Sequence, residues 1–439
     1  MGGVGLKTIK VPDFKEFMTY EELNSELERR REHIKLKVIG RSNNGNMILC
    51  AKMGHGKKNA LIFGFPHSDE PIGSLTCLAL IDIIDSNRDL QDRYTWYIIP
   101  CADPDGAQLN EGWFKGGFSL KRYVYNHYRS RASLQTDWSF PVKYKGYSFN
   151  NPPKNVEALS SLIRRIKPSL VYPLHNAGLG GAYFFMTEKM PSGFYHELFG
   201  YCKHLGIPLD VGEPEEAFMR AIKKPVYYPI SFADYYEQYR KGGLDPRKRL
   251  DSGTTSMDYT KGFGKGVLGL IGEIPYICDG GVSDRSLTRY TRADNMTESL
   301  KINRDVVKTI EGVLSCRGVN RRSAFYGQLK WLATFLSDSI SVAEREKTVR
   351  ANKRRSTVAE RFSSTTALYF YRGRALGEAR RLLLESKGTE AKRMVPHVEA
   401  AIKRYVNLLD RSSHYRVLQI SKLVSLQLAL LLLSIKYSR

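Results

Sequence analysis

Three side chains could act together on one metal ion. His67 and Glu70 stand three positions apart in PHSDEP, directly after the apolar run Ala60 to Pro66 (ALIFGFP), and His175 follows a second apolar run, Leu170 to Leu174. The chain has nine histidines, and a histidine taken at random is usually a core or surface residue with ordinary partners. His67 and His175 differ because each closes a segment that reads as a buried strand, and open α/β sheets present their ligand sites at strand ends. A catalytic zinc takes three nitrogen or oxygen ligands at about 2.0 to 2.2 Å and keeps a fourth position for water. A His and a Glu in one tight turn can converge on such an ion, and His175 would complete the set. The competing HExxH pattern starts at His196-Glu197, but position 200 is Gly200, so that pair is rejected as a metal site.

The elements that must position these residues alternate in type. Thr95 to Cys101 (TWYIIPC), Ala182 to Met186 and Val267 to Ile277 (VLGLIGEIPYI) join the two runs above as strands buried on both faces. Helices are expected from Pro71 to about Asp85, from Asn155 to Ile166 with Pro168 as the stop, and from Pro191 to Leu205. A charged helix, Tyr20 to His33, precedes a hairpin over Ile34 to Met53 that turns at Asn43 to Asn46. DPDG, Asp103 to Gly106, reads as a turn that ends its strand. The expected fold class is α/β, a mixed sheet flanked by helices. Composition changes near Asp294, where strand patterns give way to helical spacings such as Leu329, Leu332, Leu336 and Ile340. The expected division is an α/β catalytic domain at 1–295 and an all-α domain at 296–439.

The ordered combination of strand, PHxxEP, helix, strand, DPDG, strand, LHNAG and a late strand carrying Glu resembles the zinc carboxypeptidase family, the carboxypeptidase A-like metallopeptidases. The likeness covers about residues 20 to 280, including the YEELNSELERR helix and the IGRSNNGN hairpin. It implies a zinc ion held by His67, Glu70 and His175, with Glu273 of GEIPYI as general base. A carboxylate in a strand of Val, Leu, Ile and Gly is costly to bury, and beside an activated water the same desolvation poises it to take a proton. The implied reaction is hydrolysis of a peptide or peptide-like amide. Two alternatives stand beside it: an N-acyl amino acid amidohydrolase of the aspartoacylase and succinylglutamate desuccinylase type, and a non-catalytic nucleic-acid-binding protein on the same fold.

One departure marks a divergent subgroup. Ordinary members clamp the substrate's terminal carboxylate with an Asn-Arg pair, and the matching region here, QTDWSFP (Gln135 to Pro141), contains neither residue. Arg122, Arg129 and Arg131 lie just upstream, and Arg129 in NHYRS is the preferred substrate-binding cation. The family's substrate-capping Tyr has no clear counterpart, and Tyr259 in DSGTTSMDY is a poor positional match.

The formal net charge is +23, and its distribution matters more than its total. From Lys301 onward 28 Lys and Arg face 11 Asp and Glu, so most of the excess lies in the helical third. Arg350 to Arg355 (RANKRR) is its densest cluster, which would suit nucleic acid or another acidic partner. Met1 to Lys15 lacks the apolar core of a secretory leader, so the chain reads as cytoplasmic. Six scattered cysteines form no CxxC pair, and free, mostly buried thiols are expected. The run Leu423 to Ile435 is shorter than the roughly twenty residues that span a bilayer, which favours a buried terminal helix.

Overall fold

The computed structural model describes residue 6 and residues 9–438. Its centre is a nine-stranded mixed sheet. The strands are β1 (Lys35–Arg41), β2 (Met47–Met53), β3 (Lys58–Phe63), β4 (Tyr94–Ile99), β5 (Leu170–Pro173), β6 (Tyr183–Met186), β7 (Ala221–Lys223), β8 (Val226–Tyr227) and β9 (Leu268–Glu273). Their spatial order is β1-β2-β4-β3-β5-β9-β6-β8-β7. β4, β3, β5 and β9 run parallel, β2 pairs with β4 antiparallel, and β6 pairs with β9 antiparallel.

Continuous apolar strands sit where both faces are covered. Ala60 and Ile62 of β3 join one core while Leu61 and Phe63 join the other, and β5 divides likewise between Leu170 and Tyr172 on one side and Val171 on the other. Helices α1 (Tyr20–Arg29), α2 (Ile72–Asp85), α3 (Pro104–Asn110), α4 (Lys154–Ile166) and α5 (Ser192–Leu205) surround this sheet. α2 and α5 contribute to the first core, and α4, through Val156, Leu159, Leu162 and Ile163, to the second.

Two local expectations change. DPDG opens a helix, because the Asp103 side chain accepts from Gly106 N–H as an N-cap and Pro104 occupies the first turn. The expected strand Val267 to Ile277 is two elements: β9 ends at Glu273, and Ile277–Cys278 pairs instead with Leu179–Gly180 and Arg416–Val417 in a separate small sheet. Pro275 lies in the break, where its missing N–H cannot serve a ladder. The break leaves Glu273 at a strand end.

From Arg292 onward the chain is almost entirely helical: α6 (Arg292–Ser315), α7 (Ala324–Glu346), α8 (Ala367–Leu384), α9 (Thr389–Ser412) and α10 (Ile420–Tyr437). Their apolar faces share the first core with the sheet. α10 is long and apolar enough to cross a membrane, yet 72% of it is buried inside the protein, against α2 and α5. Buried Gln427 of α10 accepts from Thr76 Oγ1 of α2 at 2.6 Å and donates to the His175 carbonyl at 2.9 Å. All six cysteines are free and buried, as expected.

Candidate metal centre

His67 and Glu70 lie in the turn between β3 and α2. The chain leaves β3 through Phe65, whose φ of 52° is in the left-handed region that L residues with side chains rarely occupy. Phe65 is fully buried, so packing holds the turn against that strain. Glu70 N–H then donates to the His67 carbonyl at 3.2 Å, which puts both side chains on the same side of a tight loop. His175 leaves the end of β5, the strand beside β3.

The structure brings the three expected ligands together. One ligand atom from each of His67, Glu70 and His175 lies within 4.8 Å of the others, and all three residues are buried. The two imidazoles meet at 61° with centroids 4.9 Å apart. His67 Nδ1, Glu70 Oε2 and His175 Nδ1 are each buried without a hydrogen-bond partner. His175 Nδ1 and Glu70 Oε2 approach to 3.1 Å, but without the alignment of a hydrogen bond. Unpartnered buried polar atoms are rare and call for an explanation, and a cation shared by these three removes all of them at once. The donor set, two imidazole nitrogens and a carboxylate, is the kind that zinc takes at catalytic sites.

Electrostatics points the same way. Burial, the largest influence, together with Arg129 and His175, holds the His67 imidazole well below the usual range, so it is neutral and able to ligate. Burial also works against charge on His175, but Glu70, Asp137 and Glu273 outweigh it and push that group well above its ordinary value. The carboxylates around His175 thus favour positive charge at this point, which a divalent ion supplies in place of a proton.

Glu273 stands at the end of β9, with Oε1 3.7 Å from His175 Nδ1 and its side chain 12% exposed. Burial raises its carboxyl well above the ordinary range, with His175 opposing and Glu70 reinforcing the shift. Arg129 Nη1 donates to Glu70 Oε1 at 3.1 Å and to Asp69 Oδ1 at 3.0 Å. The other two arginines lie elsewhere: Arg122 donates to the carbonyls of Gly116 and Gly117, and Arg131 lines a separate cavity shared with Trp138 and Trp331. Tyr259 OH is taken by Arg164, and Glu197 pairs with Lys436.

Several partners were not foreseen. Asp137, within TDWSFP, accepts from His175 Nε2 at 3.0 Å and from Ser256 N–H at 2.8 Å. A carboxylate on the far nitrogen fixes the tautomer and leaves Nδ1 for the metal. The neighbouring Trp138 packs edge-on against His67 at 5.4 Å. Asp69 holds His127 Nε2 at 3.0 Å and Arg374 Nη1 at 3.1 Å, while Glu378 accepts Arg129 N–H at 2.8 Å and lies 2.9 Å from His127 Nδ1. Asp69 and Asp137 were visible as acids inside the motif segments; Arg374 and Glu378 carried no local signal. A cavity of about 440 Å³ opens on Glu70, Glu273, Arg129, Tyr183, Tyr371 and Arg374.

The family description "Zinc carboxypeptidase" matches residues 20–206. This segment is zinc carboxypeptidase-like. It contains His67, Glu70, Asp137 and His175, and ends before Glu273 and α8, the helix that carries both Arg374 and Glu378. Zinc carboxypeptidase A 1 of Anopheles gambiae is 26% identical over 153 residues, which is 31% of this chain and 34% of that protein. The chain thus matches only about a third of the length of that curated relative. Solved structures with a similar arrangement include the carboxypeptidase A of Helicoverpa armigera, 14% identical with a TM-score of 0.37 over 59% of this chain and 65% of that one. A metallo-carboxypeptidase from Burkholderia cenocepacia is 13% identical with a TM-score of 0.34, over 73% of this chain and 69% of that one.

Proposed function

We propose that this protein is a zinc-dependent hydrolase that cleaves a peptide or peptide-like amide, with His67, Glu70 and His175 as metal ligands and Glu273 as general base. The observation that carries the reading is the convergence of three unpartnered buried donor atoms beside a fourth, desolvated carboxylate. A zinc ion held there would supply Lewis acidity to the scissile carbonyl and to the attacking water.

The protein's own groups do the rest. Glu273, which lines the cavity, accepts the water's proton and returns it to the leaving amine. Arg129, tied to Glu70 and Asp69, keeps a fixed positive charge where the carbonyl oxygen becomes negative. Asp137 holds the His175 ring in register, and Trp138 packs edge-on against the His67 ring.

The test is metal analysis joined to mutagenesis. About one zinc per chain is expected, with amidase activity lost to a chelator and restored by zinc. Glu273→Gln should keep the metal and lower turnover by roughly 10² to 10⁴. Turnover unchanged in that variant, or a purified protein that takes up no zinc, would refute the proposal.

A further inference from the structure

The stretch of chain that carries Arg129 is held by one face of α8. Phe370, Arg374, Gly377, Glu378 and Arg381 recur at helical spacing, so they share that face. Phe370 stacks on Tyr123 with ring centroids 5.4 Å apart and planes at 13°. Arg374 Nη1 donates to Tyr123 OH at 3.2 Å and to Asp69 Oδ2 at 3.1 Å. A Cβ on Gly377 would collide with the Val124 carbonyl, so the helix backbone comes into contact there. Arg381 Nη1 donates to the carbonyls of Asn126 at 2.7 Å and His127 at 3.2 Å. Residues 123–129 are thus seated on α8, although α8 lies beyond the zinc carboxypeptidase-like segment.

Within this contact Glu378 meets the metal centre at one remove. Its side chain is only 1% exposed, and its Oε1 accepts the Arg129 backbone N–H at 2.8 Å. The Arg129 guanidinium then reaches Glu70 Oε1 at 3.1 Å and Asp69 Oδ1 at 3.0 Å. Arg129 is therefore fixed at both ends, by Glu378 at the backbone and by Asp69 at the side chain. His127 stands between the two anchors, with Nε2 3.0 Å from Asp69 Oδ2 and Nδ1 2.9 Å from Glu378 Oε1. The consequence falls on Glu70: with Oε1 taken by Arg129, the unpartnered Oε2 is the oxygen left for a metal. An uncharged acceptor would satisfy a lone N–H and cost less to bury. A carboxylate makes the shorter and stronger charge-assisted bond, which suits a fixed reference point for Arg129.

We propose that Glu378 is a positioning residue: from a helix outside the zinc carboxypeptidase-like segment it fixes Arg129 against Glu70, and through Arg129 it sets the orientation in which Glu70 presents Oε2 to zinc. Outer partners of a ligating carboxylate tune metal affinity without touching the ion, and here the helical region supplies that tuning. The premise that Glu70 ligates zinc rests on the hydrolase reading.

Zinc affinity of the full-length apo protein is measured by competition with a chromophoric chelator, so no turnover is needed. Three variants separate position from charge and from stability. Glu378→Asp keeps the charge but is one methylene too short to reach the Arg129 N–H, and should weaken zinc binding roughly ten-fold. Glu378→Gln keeps an acceptor oxygen in place without the charge, and should change the affinity far less. Leu382→Ala opens a cavity on the buried side of α8, and should lower the melting temperature of the apo protein while zinc affinity stays at the wild-type value. In an Arg129→Met background Glu378→Asp should have no further effect, because the group through which it acts is gone. Unchanged affinity in Glu378→Asp overturns the proposal, as does a loss in Glu378→Gln equal to or greater than that in Glu378→Asp. So does an equal loss in Leu382→Ala, or one that persists in full without the Arg129 guanidinium. The hydrolase reading falls on a different result, equal turnover of wild type and Glu273→Gln, and the order of zinc affinities is measurable either way.

Discussion

Replacing Asp137 by Asn removes one oxygen from a buried carboxylate that now accepts two N–H donors, His175 Nε2 at 3.0 Å and Ser256 N at 2.8 Å. An amide has a single oxygen, so whichever way it is turned, one donor faces an NH₂ group. If the oxygen serves Ser256, His175 loses the acceptor that fixes its tautomer; if it serves His175, the imidazole still loses a negative charge and the Ser256 N–H is stranded. Loss of such a supporting carboxylate weakens metal affinity by about 10 to 100-fold, or about 1.4 to 2.8 kcal/mol. A stranded buried N–H costs about 1 to 3 kcal/mol of folding stability. The assay is competition for zinc between the apo protein and a chromophoric chelator, wild type against Asp137→Asn, with denaturant unfolding of the apo forms alongside. Zinc affinity equal to wild type in a folded variant would refute the assignment of Nδ1 as the ligand atom and of Asp137 as its support.

Two further outcomes concern stability. Burial pushes the Asp103 carboxyl up to about 7 from an ordinary value of 3.8. A folded-state value above the unfolded one means that its contribution is fully present below about pH 4 and is lost as pH rises through 7, a change of at most about 4 kcal/mol. Asp103→Asn, which keeps the capping oxygen for Gly106 N–H, should gain on wild type steadily from pH 4 to 7 in urea unfolding; parallel pH profiles would contradict this. Gln427→Leu should destabilise the fold by roughly 1 to 3 kcal/mol, the loss of two buried hydrogen bonds at about 0.5 to 1.5 kcal/mol each, while Thr76 Oγ1 keeps the Ile72 carbonyl and the His175 carbonyl keeps the Asn176 amide. An unchanged denaturation midpoint would show that α10 does not brace the metal strand.

Much of this protein could be read before its fold was seen, because the physics involved is local. A strand covered on both faces needs an unbroken apolar run, so ALIFGFP and the run before His175 declared themselves, and with them the strand-end positions of His67 and His175. Glu273 was conspicuous as a carboxylate in an apolar strand. The ends of elements were less legible: DPDG suits a turn and a helix start equally well by composition, and only the hydrogen bond from Gly106 to Asp103 distinguishes them.

What tertiary structure alone decided is which distant charges meet. Asp69 could have been an exposed acid in a motif; instead it is buried between Arg129, His127 and Arg374. Arg374 and Glu378 lie on α8, in the helical third whose charge excess would suit an acidic partner, yet these two turn inward to the candidate metal centre. Hydrophobic periodicity marks the buried face of a helix, but it carries no information about which buried acid, hundreds of residues away, will sit opposite a given arginine. Coulombic pairing depends on distance in space, and that is set only when the sheet and the C-terminal helices close over a common core.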